Sequence, residues 1–249
     1  MNRRHLSALA VVCLAAISGA QTKAKPVTFK TKDNVTVYGW VTQRAMPTGA
    51  IVVMFHQAGA SHAEYDPIIP EISKLGFDCL AIDQRVGGKL FGPNQTAKAF
   101  KGNGRDYASA YPDMEAAIAW AKARHYKKIV AWGSSYSAAL TLRLAHEHGK
   151  DLVAALAFSP GEYIGIKGTV MKWASDSKVP MFLTATPDEV KESVMNFYDA
   201  LPKNVQPKSL LFTNKNSVHG SSTLRKDRNP NGYRLFETTV EDWLKKTVK

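Results

Sequence analysis

The chain has 249 residues, 45% of them hydrophobic, which is enough to bury the core of a globular domain. This composition excludes an intrinsically disordered chain, a collagen-like repeat and a disulfide scaffold. Lysine and arginine outnumber the acidic residues by 33 to 21, which gives a net charge of +12. The basic residues are scattered, without a long basic run or a nucleic-acid-binding motif. We therefore predict a solvated basic surface and no nucleic-acid partner.

The first twenty residues, 1–20, have the pattern of a secretory signal peptide. A basic start precedes an apolar run over residues 6–17. The small residues Ser18 and Ala20 occupy the two positions before the cleavage site that a signal peptidase recognises. The apolar run is short for a bilayer span, which disfavours the alternative of an uncleaved anchor. We predict cleavage after Ala20 and export to the periplasm or beyond. The mature chain, 21–249, is predicted to be a single domain without stable membrane insertion.

The mature chain alternates extended and helical patterns. Strands are predicted from period-2 alternation or short apolar runs over residues 35–42, 51–55, 77–82, 128–132, 152–158, 179–184 and 209–213. Helices are predicted over residues 63–75, from Pro112 onward, over 137–148 and over 235–244. This alternation predicts an α/β fold, a mostly parallel sheet with helices on both faces. Ligands bind such sheets outside the carboxyl ends of the strands, so polar residues after each strand are the candidates for chemistry.

The turn after the strand at 128–132 carries the candidate nucleophile. Residues 133–137 read G-S-S-Y-S and lead directly into a helix of small residues. A serine at the centre of such a strand–turn–helix is held on a sharp bend with its hydroxyl exposed. Ser135 has the spacing that this motif requires. The alternatives are Ser134 as the nucleophile, or an ordinary helix-capping serine.

Two further side chains are predicted to activate Ser135. A serine hydroxyl needs a base, and the base needs an acid that orients it. His219 lies in the loop after the last predicted strand and can reach over the sheet edge. Asp188 follows the strand at 179–184 and is the predicted acid, with Glu189 as the alternative. A capping or first-turn charge is the structural alternative for Asp188.

Backbone N–H groups are predicted to bind the oxyanion that forms during acyl transfer. Tyr136, which directly follows the candidate nucleophile, supplies one of them. The second is predicted in the loop after the first buried strand, where small residues let the backbone approach a substrate. Ala58 is the predicted donor there, with Gln57 as the alternative.

Together these motifs resemble the α/β-hydrolase family, and within it the compact dienelactone-hydrolase-like and esterase members. The resemblance runs from about Val27 to the end and is carried by residues 55–59, 83–88, 133–137, 186–188 and 218–220. It implies an eight-stranded sheet and the chain order serine, acid, histidine. The segment 161–178, where larger members of the family have a lid, is too short for a cap domain. The histidines lack zinc-ligand spacing, so we expect no metal or organic cofactor. Gln57 and Ser137 depart from the family, which usually has glycine at both positions.

A long segment, residues 84–110, is predicted to wall the substrate pocket and to tolerate anionic groups. Its candidate substrate-binding residues are Arg85, Phe91 and Tyr107. Long loops in compact domains are often functional, although a solvated basic loop is the structural alternative. Small carboxylic esters are the favoured substrates. A peptidase or amidase with the same triad, or a non-catalytic binding protein on this scaffold, is the alternative.

Overall fold

The computed structural model describes residues 23–46, 48–102 and 106–248. The predicted signal peptide over residues 1–20 lies outside the described residues, as do residues 103–105 of the segment predicted to wall the pocket. Within the described ranges, no helix is both long enough and apolar enough to cross a bilayer.

Eight strands form one sheet in the described part of the chain. In chain order they are β1 (Lys25–Lys30), β2 (Thr36–Thr42), β3 (Ala50–Phe55), β4 (Asp78–Asp83), β5 (Lys128–Ser134), β6 (Ala154–Phe158), β7 (Met181–Thr184) and β8 (Leu210–Phe212). Across the sheet their order is β1-β2-β4-β3-β5-β6-β7-β8. β2 runs antiparallel to both of its neighbours, and every other pair is parallel. The predicted eight-stranded, mostly parallel α/β architecture is confirmed.

The helices pack on both faces of this sheet. The α-helices are α1 (Ile69–Lys74), α2 (Gln95–Ala99), α3 (Tyr111–Ala123), α4 (Tyr136–Glu147), α5 (Thr169–Ser175), α6 (Pro187–Glu189), α7 (Met195–Asp199) and α8 (Tyr233–Val248). Short 3-10 helices lie at His62–Glu64, Tyr107–Ala110, Gln206–Lys208 and Gly220–Leu224, and a π-helical turn at Val190–Val194 joins α6 to α7. Between β6 and β7 the chain forms only the seven-residue helix α5, which is too small for a cap domain.

Burial on both faces of the sheet explains the continuous apolar runs in its central strands. Every residue of β3 and of β4 is buried. Ile51 and Val53 of β3 face a core formed with α3 and α4, whereas Val52 and Met54 face a second core formed with α1 and α8. Because successive side chains of a strand point to opposite faces, one strand contributes to both cores. These cores fix the carboxyl edge of the sheet, where the candidate residues lie.

Two of the differences from the predictions have a local physical cause. β1 has no counterpart among the predicted strands, because its residues are exposed or half-buried and carry little apolar pattern. The single helix predicted over residues 63–75 is instead the 3-10 turn His62–Glu64 followed by α1. Pro70 lies in the first turn of α1, and because it has no N–H it is favoured at the start of a helix and disfavoured in its interior.

Candidate active site

Ser135 lies on the sharp turn between β5 and α4. Its backbone has φ 58° and ψ −122°, a conformation that residues other than glycine rarely adopt. The strand and helix pass so closely that a Cβ on Gly133 would stand 2.3 Å from Ser137 O and 2.4 Å from Thr141 Oγ1. The Ser135 amide donates to Phe158 O (2.8 Å), which ties the turn to β6. Ser135 is therefore held at the carboxyl edge of the sheet.

The two other serines of this turn point into the protein. Ser134 Oγ donates to Glu64 Oε1 (2.7 Å), and Ser137 Oγ donates to His56 O (2.6 Å). Both serines are fully buried. Ser134, the alternative nucleophile, is thus shielded from substrate, and Ser137 uses its hydroxyl to brace the turn where the family usually has glycine.

His219 is in hydrogen-bond contact with this serine. Its Nε2 lies 2.8 Å from Ser135 Oγ, and its side chain is 43% exposed, so a substrate can approach both groups. The next residue, Gly220, has φ 67°, and a Cβ there would stand 2.5 Å from Ser134 Oγ. The Gly220 amide donates to Ser159 Oγ (2.9 Å), which anchors the loop after the histidine. The loop following β8 thus brings the predicted base to the predicted nucleophile.

The carboxylate beside this imidazole is Glu189. Its Oε1 lies 2.5 Å from His219 Nδ1, whereas Asp188 is an exposed residue in the first turn of α6. The prediction that Asp188 orients His219 is therefore corrected. Glu189, the alternative, is the carboxylate in contact with the imidazole. The reason is a capping box: Thr186 caps α6, and Glu189, three residues on, turns back to accept from the Thr186 amide (2.9 Å). That turn aims Glu189 at the strand end and leaves Asp188 pointing to solvent.

Glu189 is ionised at neutral pH. Burial opposes its charge, but hydrogen bonds from His219, Thr186 and Ser159 outweigh burial and lower the pKa of this carboxyl to about 2. An ionised carboxylate can only accept, so the proton in the contact belongs to His219 Nδ1. In the neutral imidazole with its proton on Nδ1, Nε2 is the unprotonated nitrogen, and it is the one that faces the Ser135 hydroxyl.

Ser159 is a supporting residue that the sequence patterns did not mark. It directly follows β6, and its Oγ donates to Glu189 Oε2 (2.8 Å) while accepting from Gly220 N. It therefore links the carboxylate to the loop that carries His219. Its position after a strand, at the carboxyl edge of the sheet, is the signal that could have identified it.

One of the two alternatives for the second oxyanion donor is removed by the structure. The Gln57 amide donates to Glu64 Oε2 (2.8 Å), so it is not available to a substrate oxygen. Ala58, the next residue, is half-buried and stays the predicted donor. Tyr136 is the first residue of α4, where a backbone N–H has no acceptor within its own helix. Its amide stays the predicted first donor.

Arg85 is not a substrate-binding residue in this structure. The residue is 4% exposed, and its guanidinium donates to Asp113 (2.7 Å) and pairs with Asp33. The expectation for Arg85 is corrected, because these carboxylates occupy the donors that an anionic substrate would need. Arg85 instead ties the start of the segment 84–110 to α3.

The two aromatic candidates occupy different surroundings. The Tyr107 ring stacks on the ring of Tyr136, with centroids 4.8 Å apart, so it lies next to the serine turn. Phe91 lies beneath the guanidinium of Arg225, 4.2 Å from the ring centroid. Tyr107 is therefore the better placed of the two for contact with a substrate at Ser135.

Cys79 offers no competing nucleophile. Its thiol is fully buried in β4, and burial raises its pKa to about 12, so it stays neutral and shielded. Among the described residues, no group of three or more histidine, cysteine or acidic side chains is arranged to hold a metal ion.

Comparison with known proteins gives an independent view of the fold. A protein-family model described as alpha/beta hydrolase fold matches residues 50–222. No curated protein sequence matches the chain. An esterase from Pyrococcus furiosus has a similar structure (TM-score 0.70, 21% identity, 91% of this chain and 93% of that one). So have a dienelactone hydrolase from Anabaena variabilis (TM-score 0.68, 15% identity, 92% and 100%) and an acylaminoacyl peptidase from Pyrococcus horikoshii (TM-score 0.67, 14% identity, 92% and 43%).

Proposed function

We propose, from the premise that the chain belongs to the alpha/beta hydrolase fold family, that it is an exported serine hydrolase that cleaves carboxylic esters through an acyl-enzyme on Ser135. The observation that carries this proposal is an unbroken line of contacts. Ser135 Oγ lies 2.8 Å from His219 Nε2, and His219 Nδ1 lies 2.5 Å from Glu189 Oε1. A serine, an imidazole and a carboxylate in this order of contact supply a nucleophile, a base and an orienting group.

In the acylation half of the reaction, His219 Nε2 takes the proton of the Ser135 hydroxyl as the oxygen attacks the ester carbonyl. The carbonyl oxygen becomes an oxyanion, which the N–H groups of Tyr136 and Ala58 stabilise. Glu189 stabilises the imidazolium that forms and keeps it in the productive orientation. The imidazolium then gives its proton to the leaving alkoxide, and the alcohol departs from the acyl-enzyme.

In the deacylation half, a water molecule replaces the alcohol. His219 removes a proton from this water, and the resulting hydroxide attacks the acyl carbon on Ser135. The second tetrahedral intermediate collapses when the serine oxygen leaves and recovers its proton from the imidazolium. The products are a carboxylic acid and the regenerated enzyme, so one water is consumed for each ester cleaved.

Small esters are proposed over peptides because of the size of the domain. Between β6 and β7 the chain has only α5 to cover the site. The similar peptidase structure is much longer, since this chain covers 43% of it. Matched ester and amide substrates with the same acyl group separate the two functions. We expect the ester to be cleaved with the higher kcat/KM, and a higher value for the amide would favour the peptidase.

A fluorophosphonate probe tests the nucleophile directly. The native protein is expected to gain one phosphonyl group on the peptide that contains Ser135, because an activated serine displaces fluoride from the probe. Labelled peptides are identified by mass spectrometry. Ser175→Ala, which removes an exposed serine on α5, should label like the native protein, and heat-unfolded protein should not label. A folded native protein that stays unlabelled would instead favour a non-catalytic binding protein.

The proposed export has its own test. Expression of the full chain in a bacterial host is expected to yield a periplasmic or secreted protein whose first residue is Gln21, as measured by intact mass. Leu14→Arg interrupts the apolar run over residues 6–17 and should retain the unprocessed chain inside the cell. A native chain that keeps its first twenty residues, or that fractionates with the cytoplasm, would contradict the proposal.

A further inference from the structure

A second carboxylate lies behind the candidate nucleophile, and the proposed mechanism does not use it. Glu64 ends the 3-10 helix His62–Glu64 and is fully buried. Its Oε1 accepts from Ser134 Oγ (2.7 Å) and from Gln57 Nε2 (3.3 Å), and its Oε2 accepts from the Gln57 amide (2.8 Å). Burying a carboxylate is costly unless such donors compensate it. Three donors converge on this one side chain.

Through Ser134, Glu64 connects the nucleophile to the loop of the base. Ser134 directly precedes Ser135, and its hydroxyl donates to Glu64 while accepting from the Ser221 amide (2.8 Å). Ser221 is two residues beyond His219. The direction of the Ser134 hydroxyl is set by these two contacts, so the turn carrying Ser135 and the loop carrying His219 share one buried junction.

Through Gln57, Glu64 also connects to the predicted oxyanion donor. Gln57 directly precedes Ala58, and both its amide and its side chain donate to Glu64. The Gln57 side chain also donates to Ser222 Oγ (3.2 Å), which follows His219 by three residues. These contacts explain why glutamine is accommodated where the family usually has glycine. The Gln57 side chain lies between Glu64 and Ser222 and forms a hydrogen bond with each.

The surroundings of Glu64 have opposing effects on the ionisation of its carboxyl group. Burial raises the pKa of this carboxyl to about 7, against the opposing effects of the hydrogen bonds from Gln57 and Ser134 and of the charges on the Arg225 guanidinium and, when it forms, the His219 imidazolium. Arg225 lies close by, donating to the backbone carbonyl of Glu64 (2.9 Å). The buried phenols of Tyr65 and Tyr136 are two further titratable groups that its charge affects. Protonation of Glu64 would add a donor where three donors already converge.

Building on the proposed function, we infer that Glu64 is a positioning residue: as a carboxylate it holds the Ser135 turn, the Ala58 turn and the His219 loop in one arrangement. Only the ionised side chain accepts all three hydrogen bonds without offering a donor of its own. Loss of this charge releases at least one of them and lets the reacting groups shift. Displacements of about 1 Å in a catalytic site lower rates by about 100-fold.

Glu64→Gln tests this inference in steady-state ester hydrolysis. We expect kcat to fall by about 100-fold with KM within about twofold, because reacting groups and not substrate contacts are displaced. The pH profile should change as well. Below about pH 7, log kcat/KM of the native protein is expected to fall more steeply than that of the variant, by the one proton that Glu64 takes up. The variant lacks this carboxyl and should lack the additional steepness.

Two further variants keep the test decisive. Glu71→Gln removes a partly exposed carboxylate of α1 that pairs with Lys74. This variant should leave kcat and the slope of the pH profile unchanged. Ser134→Ala removes one of the three donors and should lower kcat by about tenfold, because the turn is displaced less than by loss of the carboxylate, while keeping the steeper acid limb of the native protein. It serves in place of Glu64→Gln if that variant does not fold. Native kcat and slope in Glu64→Gln, or native kcat in Ser134→Ala, would overturn the inference.

Thermal unfolding gives a readout that does not involve a substrate. In the unfolded chain Glu64 ionises near its ordinary value of 4.5, whereas in the folded chain it keeps its proton until about pH 7. The folded state binds more protons in this window, so its stability falls as pH rises from about 4.5 to about 7. We expect the Tm of the native protein to fall relative to that of Glu64→Gln across this window. Parallel Tm profiles would count against the inference.

Failure of this inference differs from failure of the proposed function. If the native protein is labelled by the fluorophosphonate at Ser135 but Glu64→Gln is labelled at the same rate, the serine hydrolase stands and the role of Glu64 is rejected. If the native protein is not labelled at all, the proposed function is rejected and the role of Glu64 with it. Labelling of the native protein together with slow labelling of Glu64→Gln supports both.

Discussion

Ser135→Ala is expected to lower kcat for ester hydrolysis by roughly a millionfold, to the level that binding and the oxyanion donors supply without a nucleophile. The reason is geometric. Ser135 Oγ is the exposed hydroxyl of the turn and lies 2.8 Å from His219 Nε2, whereas Ser134 is buried against Glu64. The measurement is kcat with a chromogenic ester, after checking by circular dichroism that the variant is folded.

The companion variants decide whether the serine and the histidine act as one unit. His219→Ala alone should lower kcat about as much as Ser135→Ala, and the double variant should be no slower than either single variant. Ser175→Ala should match the native protein. A Ser135→Ala protein that keeps more than about a thousandth of the native rate would show that another group carries the reaction.

The second large effect is expected at Glu189, not at its neighbour. Glu189→Gln should lower kcat by about 10⁴-fold, because an amide facing His219 Nδ1 favours the wrong tautomer and no longer stabilises the imidazolium. Asp188→Asn should leave kcat within about twofold, since Asp188 is exposed and Glu189 makes the contact. The two variants change adjacent residues in the same chemical way, so each is the control for the other.

The pH dependence adds a check on this assignment. Hydrogen bonds lower the pKa of Glu189 to about 2, so the carboxylate stays charged throughout the range in which the enzyme can be assayed. The acid limb of kcat/KM should therefore not contain a step from Glu189. Its contribution to stability, which is present above the ordinary glutamate value of 4.5, should be lost only as the pH falls toward about 2. A larger loss of rate in Asp188→Asn than in Glu189→Gln would reverse the assignment of the acid.

Buried strands and the candidate nucleophile could be predicted from the sequence alone, because each is marked by a pattern within a short stretch of residues. The buried strands β3, β4 and β5 show as apolar runs because both faces of each strand are covered, and a run of this kind needs no knowledge of its neighbours. Ser135 could be identified for a similar reason, since a strand, a tight turn and a helix within a few residues force its strained backbone. The position of His219 after the last strand followed from the order of the elements.

The remaining assignments depend on contacts between segments that are far apart in the chain. The choice between Asp188 and Glu189 depends on which side chain turns back over its helix cap toward His219, thirty residues further on. By its sequence position Arg85 is a plausible ligand for an anionic substrate, but Asp33 and Asp113, which are distant in the chain, pair with its guanidinium in the folded protein.

The sequence by itself determined the α/β class, the order of the main elements and the identity of the candidate nucleophile and base, because each depends on hydrophobic period or turn chemistry within a short stretch. Only the tertiary structure decided which carboxylate faces the imidazole, that the Gln57 amide donates a hydrogen bond to Glu64, and that Glu64 is buried. The physical reason is that burial and hydrogen-bond pairing of a polar side chain depend on partners that approach only when the sheet has formed.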